Sequence, residues 1–367
     1  MRTGMNIVMF YHTLVSDWNH GNAHFLRGIA TELVARGNQV TVFEPKDSWS
    51  RTNLISEYGE KPIKSFHEVY PDLESTAYQL DSLQLDEALH KADLVIVHEW
   101  NNHDLVKRIG EHRAAIRSYK LLFHDTHHRM VTDRHSMDAY DLSNYDGVLA
   151  YGRILQRLYQ DSTRVKHAWT WHEAADTRIF RPMPRNNFIG DLVWIGNWGD
   201  DERTQELHEF LIEPVKALHL KARVYGVRYP DQAKQALADA GIEYGGWLPN
   251  FEVPHVFSRF KLTVHVPRRP YVRALPGIPT IRPFEALACG IPMVSSPWED
   301  CEHLFSPGED YLVAQNGREM KEQISAVLAD EQLASSLAER GLRTIRDYHT
   351  CKHRVDQLTE IYSELKS

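Results

Sequence analysis

The chain has 367 residues, 42% of them hydrophobic and 25% charged, with a formal net charge of −8. That length gives two domains with ample cores of their own. The acidic balance argues against a general nucleic-acid surface or a polybasic membrane anchor, because both need net positive fields.

Residues 6 to 11 read as a buried strand. A polar loop with Gly21 follows, and Phe25, Leu26, Ile29, Leu33 and Val34 then recur at helical spacing until Gly37 closes the helix. Gln39 to Phe43 is the next strand. This β-loop-α-β opening starts a parallel doubly wound sheet, whose right-handed crossover leaves the loop at the carboxyl edge where ligands bind. Strands are expected at 93–98, 120–123 and 147–150, with helices near 103–114 and 153–160. The stretch 167–185 ends in Pro182 and Pro184 and reads as a hinge.

After the hinge the alternation restarts. Strands are expected at 191–195, 222–226, 242–244, 260–266 and 292–295, and helices near 202–218, 282–289, 318–329 and 351–366. The fold class is therefore α/β, with two Rossmann-like doubly wound parallel sheets in succession. The expected domains are 1–170, 171–345 and a final helix, 346–367, that crosses back to the first domain.

Three cysteines, Cys289, Cys301 and Cys351, form no C-x-x-C pair and are too few for a disulfide scaffold, which suggests reduced thiols in a cytoplasm. The apolar run Ile7 to Tyr11 is far shorter than a signal peptide's core. No stretch approaches the roughly 18 apolar residues of a membrane span. The usual fingerprints of dinucleotide enzymes, P-loop NTPases, nucleophile-elbow hydrolases and zincins are missing. No two aspartates stand two apart, so nucleotide chemistry here works without the usual D-x-D metal clamp. The chain is rich in histidine, with 21, and in tryptophan, with 9.

The most specific segment is Ile278-Pro-Thr-Ile-Arg-Pro-Phe-Glu-Ala-Leu-Ala-Cys-Gly-Ile-Pro-Met-Val-Ser-Ser296. Pro283 suits the first helical position, and Glu285 then falls in the first turn. The free N–H groups at that helix start, together with Arg282, make an anion site. A carboxylate beside an anion site suits a nucleotide, with the diphosphate at the helix end and the ribose hydroxyls on Glu285.

This segment resembles the nucleotide-sugar signature of GT-B glycosyltransferases, most of all family 4 and its CgeB-like spore-maturation relatives. The linker Asp176-Thr-Arg-Ile-Phe-Arg-Pro182 is similar to the one such enzymes carry before their second domain. The resemblance implies two Rossmann-like domains facing a central cleft, with the donor on the second and the acceptor on the first. It implies a retaining, metal-independent transfer and no permanently bound cofactor, the nucleotide-diphosphate sugar being a co-substrate. Family 4 carries a glutamate eight positions before Glu285, near the donor sugar. Gly277 stands there instead, as CgeB-like relatives also tend to lack it.

The donor contacts expected are Gly196, Asn197, Trp198 and Arg203 at the first turn of the second domain. Arg268, Arg269 and Arg282 are read as diphosphate contacts. Tyr225, Gly226, Trp247 and Leu248 are read as the loops against the base. His124, Asp125 and His127 sit at a strand end and suit sugar contact or acid–base assistance. A metal reading of His124-x-x-His127 and plain polar packing remain alternatives. His12, His20, Gly21 and Asn22 on the first loop are read as acceptor or phosphate contacts. A catalytically silent nucleotide- or glycan-binding module and a sugar-nucleotide epimerase are the alternatives to a transferase. The acceptor stays open among small molecule, lipid carrier, glycan and protein, with nucleic acid disfavoured, and oligomeric state is not indicated.

Overall fold

The computed structural model describes residues 4–162, 164–185 and 187–367. It divides into two compact units. Unit 1 runs to Glu173 and takes in Cys351–Ser367, and unit 2 is Ala174–Thr350.

Unit 1 is built on seven parallel strands: β1 (Asn6–Phe10), β2 (Gln39–Pro45), β3 (Ser75–Tyr78), β4 (Leu94–His98), β5 (Lys120–Asp125), β6 (Gly147–Ala150) and β7 (Ala168–Thr170). Their order is β3-β2-β1-β4-β5-β6-β7. The central strand β4 is Leu-Val-Ile-Val-His and is buried throughout, as a parallel strand covered on both faces must be. The order reverses between β1 and β4, which makes that gap the topological switch point, the place where such sheets bind ligands. The helix Ala23–Ala35 follows β1, and the terminal helix Cys351–Lys366 packs on it. Arg36 ties the two by donating to Asp356 at 2.6 Å and to the Lys352 carbonyl at 3.0 Å.

Unit 2 has six parallel strands: β8 (Gly190–Ile195), β9 (Ala222–Tyr225), β10 (Ile242–Tyr244), β11 (Phe260–His265), β12 (Met293–Ser295) and β13 (Leu312–Val313). Their order is β10-β9-β8-β11-β12-β13, so its switch point lies between β8 and β11. Both units are Rossmann-like α/β sheets. Among the described residues no helix is long and apolar enough to cross a membrane.

Several local expectations are corrected. β5 continues two residues past Phe123, so His124 and Asp125 lie inside the sheet rather than on the loop after it. The helix expected near 202–218 is broken into Thr204–Leu207, a wide π turn at His208–Ile212, and Glu213–Ala217. Pro214 sits at that junction, where its missing N–H interrupts the α ladder. The signature helix spans Ile281–Ala288, which puts Pro283 third and Glu285 in the second turn. The helices Trp49–Tyr58, Lys61–Val69 and Glu331–Tyr348 and the strands β3 and β13 were not expected at all.

Candidate functional site

In unit 2 the predicted donor residues lie at the carboxyl ends of β8, β9, β10 and β11 and on the helix Ile281–Ala288. The loops after β8, β9 and β10 are laced together. Gly196 N–H donates to the Tyr225 carbonyl and Gly226 N–H to the Gly246 carbonyl, both at 2.8 Å. The Asn197 Oδ1 accepts from Val227 N–H at 2.9 Å, and the Tyr229 hydroxyl donates to the Gly196 carbonyl at 2.8 Å. Gly226 has φ +153°, and a Cβ there would lie 2.1 Å from the Gly196 oxygen, so only glycine lets these turns touch.

Arg203 bridges the switch point. Its guanidinium donates to the carbonyls of Asn197 and Trp198, after β8, and to that of Val266, after β11, the last at 3.0 Å. It also lies over the Trp194 ring at 5.0 Å. Every one of these partners is neutral, and among the described residues no carboxylate lies within ion-pair distance of it. Burial, then the charges of Arg268 and Arg282, lower its pKa to about 9. A half-buried cation whose partners are all neutral keeps a charge that an anion can pair with.

The other arginines are engaged. Arg268 pairs with Glu202 at 2.9 Å, and Arg269 makes a two-pronged contact with Glu206 at 2.8 and 3.0 Å. Arg282 pairs with Glu285. Glu285 is fully buried, and its Oε1 accepts from Asn250 at 2.9 Å. Trp198 is a core residue rather than a loop platform: it packs on Tyr229 at 5.5 Å and donates to Thr204 at 2.9 Å. Leu248 packs against the second core cluster. Tyr225 is half-buried, its hydroxyl accepting from Arg223 at 3.1 Å, and Trp247 is half-buried on the loop after β10.

Sequence reasoning passed over His265, Thr280 and Glu302. His265 ends β11, shares a hydrogen bond with Ser295 at 3.0 Å and leaves its buried Nε2 unpartnered. Burial, with Arg203 and Arg282 nearby, lowers its pKa to about 3, so it is a neutral group. Thr280 caps the signature helix at φ +59° and ψ −178°, a region essentially reserved for glycine. Gly277 has φ +88°, and a Cβ there would meet Glu302 Cγ at 2.7 Å and Cys301 Sγ at 2.8 Å. The space where a side chain at 277 would begin is thus filled by Glu302 itself.

In unit 1 the expected residues gather at the β1/β4 switch point and on β5. Tyr11 stacks on His98 at 4.6 Å and shares a 2.6 Å hydrogen bond with His124 Nδ1. His12 and His20 meet edge to face at 4.0 Å. His98 Nε2 shares a bond with Thr126 Oγ1 at 2.9 Å, and Asn22 donates to the same oxygen at 2.5 Å. Gly21 is exposed beside it. Asp125 is turned into the fold, accepting from His127 N–H at 3.1 Å and from the Tyr159 hydroxyl at 2.8 Å. His127 stacks near His128 at 4.0 Å. His98, missed by sequence reasoning, sits at the centre of this cluster.

Burial sets the protonation here. It lowers the pKa of His124 to about 3 and of His12 to about 4, and holds His20 and His98 well below the ordinary imidazole range. Four ring nitrogens, His12 Nδ1, His20 Nε2, His98 Nδ1 and His124 Nε2, are buried without a partner. Among the described residues no three His, Cys, Asp or Glu side chains are placed to hold a metal ion. Burial, then Asp125, pushes the Glu99 carboxyl up, even though Arg129 donates to it at 2.6 Å.

Residues 203–360 match the family model described as glycosyl transferase-like. No curated protein matches the chain in sequence. Solved structures match it nearly end to end. HepE from Anabaena, in complex with UDP and glucose, aligns at 16% identity and TM-score 0.68 over 98% of this chain and 99% of that one. Sucrose-phosphate synthase from Thermosynechococcus elongatus aligns at 15% and 0.67 over 98% and 99%. An alpha-glucosyltransferase bound to UDP and a 13-mer DNA aligns at 13% and 0.71 over 98% and 100%. The chain therefore has the GT-B fold.

Proposed function

We propose that the protein is a glycosyltransferase that takes a sugar from a nucleoside-diphosphate donor held by unit 2 and passes it to an acceptor held by unit 1. The observation that carries this reading is Arg203, a half-buried cation with only carbonyl partners at the switch point of unit 2. The glycosyl transferase-like match over residues 203–360 and the fold shared with UDP-bound structures support it. The diphosphate takes the place of the missing counter-ion, with Arg282 and the N–H groups at the start of Ile281–Ala288 adding to the site. Glu285 exchanges Asn250 and Arg282 for the ribose hydroxyls, and His265 Nε2 offers one further neutral contact.

The transfer follows the retaining course of the family 4 and CgeB-like enzymes that the signature resembles. The bond from the anomeric carbon to the leaving diphosphate oxygen breaks, and the acceptor oxygen bonds that carbon on the same face. The acceptor's proton passes to the departing diphosphate. The arginines offset the developing charge, so neither a resident metal nor a covalent enzyme nucleophile is needed.

Glu285→Ala should weaken UDP binding by roughly tenfold to a hundredfold by calorimetry, the cost of one charge-assisted hydrogen-bond pair. Unchanged affinity would sink the assignment. A second reading, a nucleotide-binding module without turnover, is favoured by Gly277, whose surroundings have no room for a side chain. A panel of nucleotide sugars read by mass spectrometry separates the two: tight nucleotide binding with neither transfer nor hydrolysis selects the silent module.

A further inference from the structure

One short segment of unit 2 is dense in charge. After β8 the chain reads Asp200-Asp201-Glu202-Arg203, and Glu206 follows within the helix Thr204–Leu207. The segment starts at a left-handed corner, with Gly199 at φ +86° and Asp200 at φ +51°. It ends where the π turn at His208–Ile212 begins. Three of its carboxylates reach arginines on neighbouring loops. Asp200 pairs with Arg228, after β9, at 3.1 Å. Glu202 pairs with Arg268 at 2.9 Å and Glu206 with Arg269 at 2.8 Å, both after β11. Since β9 and β11 flank β8 in the sheet, the segment is a strap tied down on both sides.

These ties are not buried. The Glu202 and Arg268 side chains are 30% and 24% exposed, and those of Asp200 and Arg228 more so. Ion pairs in such surroundings are worth little and are screened by salt. Another anion can replace the carboxylate at small cost.

The Glu202–Arg268 tie stands beside Arg203. Arg203 donates to the carbonyl of Val266, two residues before Arg268, at 3.0 Å, and Glu202 is its neighbour in the chain. After burial, the charge of Arg268 is the next cause of the lowered Arg203 pKa, so the two guanidiniums are close. An anion settling on Arg203 therefore meets an Arg268 that already carries a carboxylate. That carboxylate cancels the second positive charge and also repels the newcomer. A diphosphate, charged on both phosphates, is a ligand that takes both guanidiniums at once.

We propose that Glu202 is a built-in competitor of the donor diphosphate, holding Arg268 until the diphosphate arrives and then giving it up to the phosphates. The proposal rests on unit 2 being the donor side of a transferase. It makes the acidic strap a brake on donor affinity.

The test is calorimetry on the full chain at about 0.15 M salt, with UDP and with inorganic pyrophosphate as probes. Glu202→Gln keeps the side chain's size and a hydrogen-bond acceptor but removes the charge. It should bind both probes about three- to fivefold more tightly than the parent, the worth of one partly exposed ion pair. On an Arg268→Gln background the same substitution should gain less than about twofold, because only repulsion between carboxylate and phosphate is left to relieve. UDP bound no more tightly by Glu202→Gln than by the parent would overturn the proposal and leave the donor reading standing. Equal gains on the two backgrounds would also overturn it, since Glu202 would then repel the ligand without exchanging Arg268. A chain that binds pyrophosphate with the Arg268-dependent gain but does not bind UDP would keep the competitor and remove the nucleotide donor. Binding of neither probe would remove both.

Discussion

The two units use one topology and fill its switch point with opposite electrostatics. In unit 1 the gap between β1 and β4 collects imidazoles that burial keeps neutral, with the Arg129 guanidinium on the Glu99 carboxyl nearby. In unit 2 the gap between β8 and β11 collects Arg203 on neutral carbonyls, beside Arg268 and Arg282, which pair with Glu202 and Glu285. The lesson is that sheet order fixes where a ligand sits and the side chains fix its charge.

The largest effect is acid sensitivity, carried by four imidazoles of unit 1 and by His265 of unit 2. Imidazoles unfold to an ordinary pKa near 6.5 but stay neutral in the fold down to about 4 or about 3 for His12 and His124. Between those values the unfolded chain binds more protons, so stability rises with pH there, is complete above about 6.5, and is lost as pH falls. Glu99 and Asp125 have raised pKa values and pull the other way, because the fold keeps their protons at pH values where the unfolded chain has lost them. The five buried imidazoles, His12, His20, His98 and His124 with His265 of unit 2, outnumber the two carboxyls, so the net effect is a loss of stability as pH falls from about 6.5 to about 5. Urea titrations across that range measure it. His98→Phe, which keeps the stack on Tyr11, should reduce the slope by about 1.4 kcal/mol per unit. A flat or inverted profile would mean that the cluster is protonated in the fold and that unit 1 is not neutral.

The second test makes unit 2 resemble unit 1. Arg203→Met removes the half-buried cation and keeps much of the side chain's bulk. UDP affinity should fall about a hundredfold, or about 2.7 kcal/mol, by calorimetry, since a charge-assisted contact to the diphosphate is gone. The apo protein should also lose about 1–3 kcal/mol, because three carbonyls lose their donor. If the variant binds UDP as the parent does, the charge contrast between the units has no functional meaning.

The parts of this contrast differed in how openly the sequence displayed them. The alternation of buried strands and amphipathic helices announced both parallel sheets, because period and length are local properties. The segment from Ile278 to Ser296 announced the short helix Ile281–Ala288 for the same reason. His124 and Asp125 did not read as strand residues, because what satisfies them is Tyr11, 113 positions away, and Tyr159, 34 away. Trp198 looked like a loop aromatic until Tyr229 and Thr204 closed over it. Arg203 could be named as a helix-start arginine, but its meaning depends on carbonyls from two loops about 70 residues apart in sequence, near Asn197 and Val266. His98 was passed over because a histidine ending an apolar strand gives no local sign of the stack it will join.

The smallest effect concerns strain, which the two units also distribute differently. The first β–α loop of unit 1 places Asn19 at φ +50°, a conformation asparagine tolerates. Unit 2 instead places the β-branched Thr280 at φ +59° and ψ −178°, immediately before the helix that carries Arg282 and Glu285. That conformation costs on the order of 1–3 kcal/mol for a residue with a Cβ. Thr280→Gly should relieve it, and the greater chain entropy of glycine in the unfolded state should take back about 0.5–1 kcal/mol. The expected balance is a gain of about 1 kcal/mol, seen as a rise in Tm of about 2–4 °C. If the strain serves to aim Glu285, the same variant should bind UDP a few-fold more weakly while being more stable. Lower stability with unchanged affinity would show instead that Thr280 is held by contacts worth more than the strain, and that unit 2 stores none at its site.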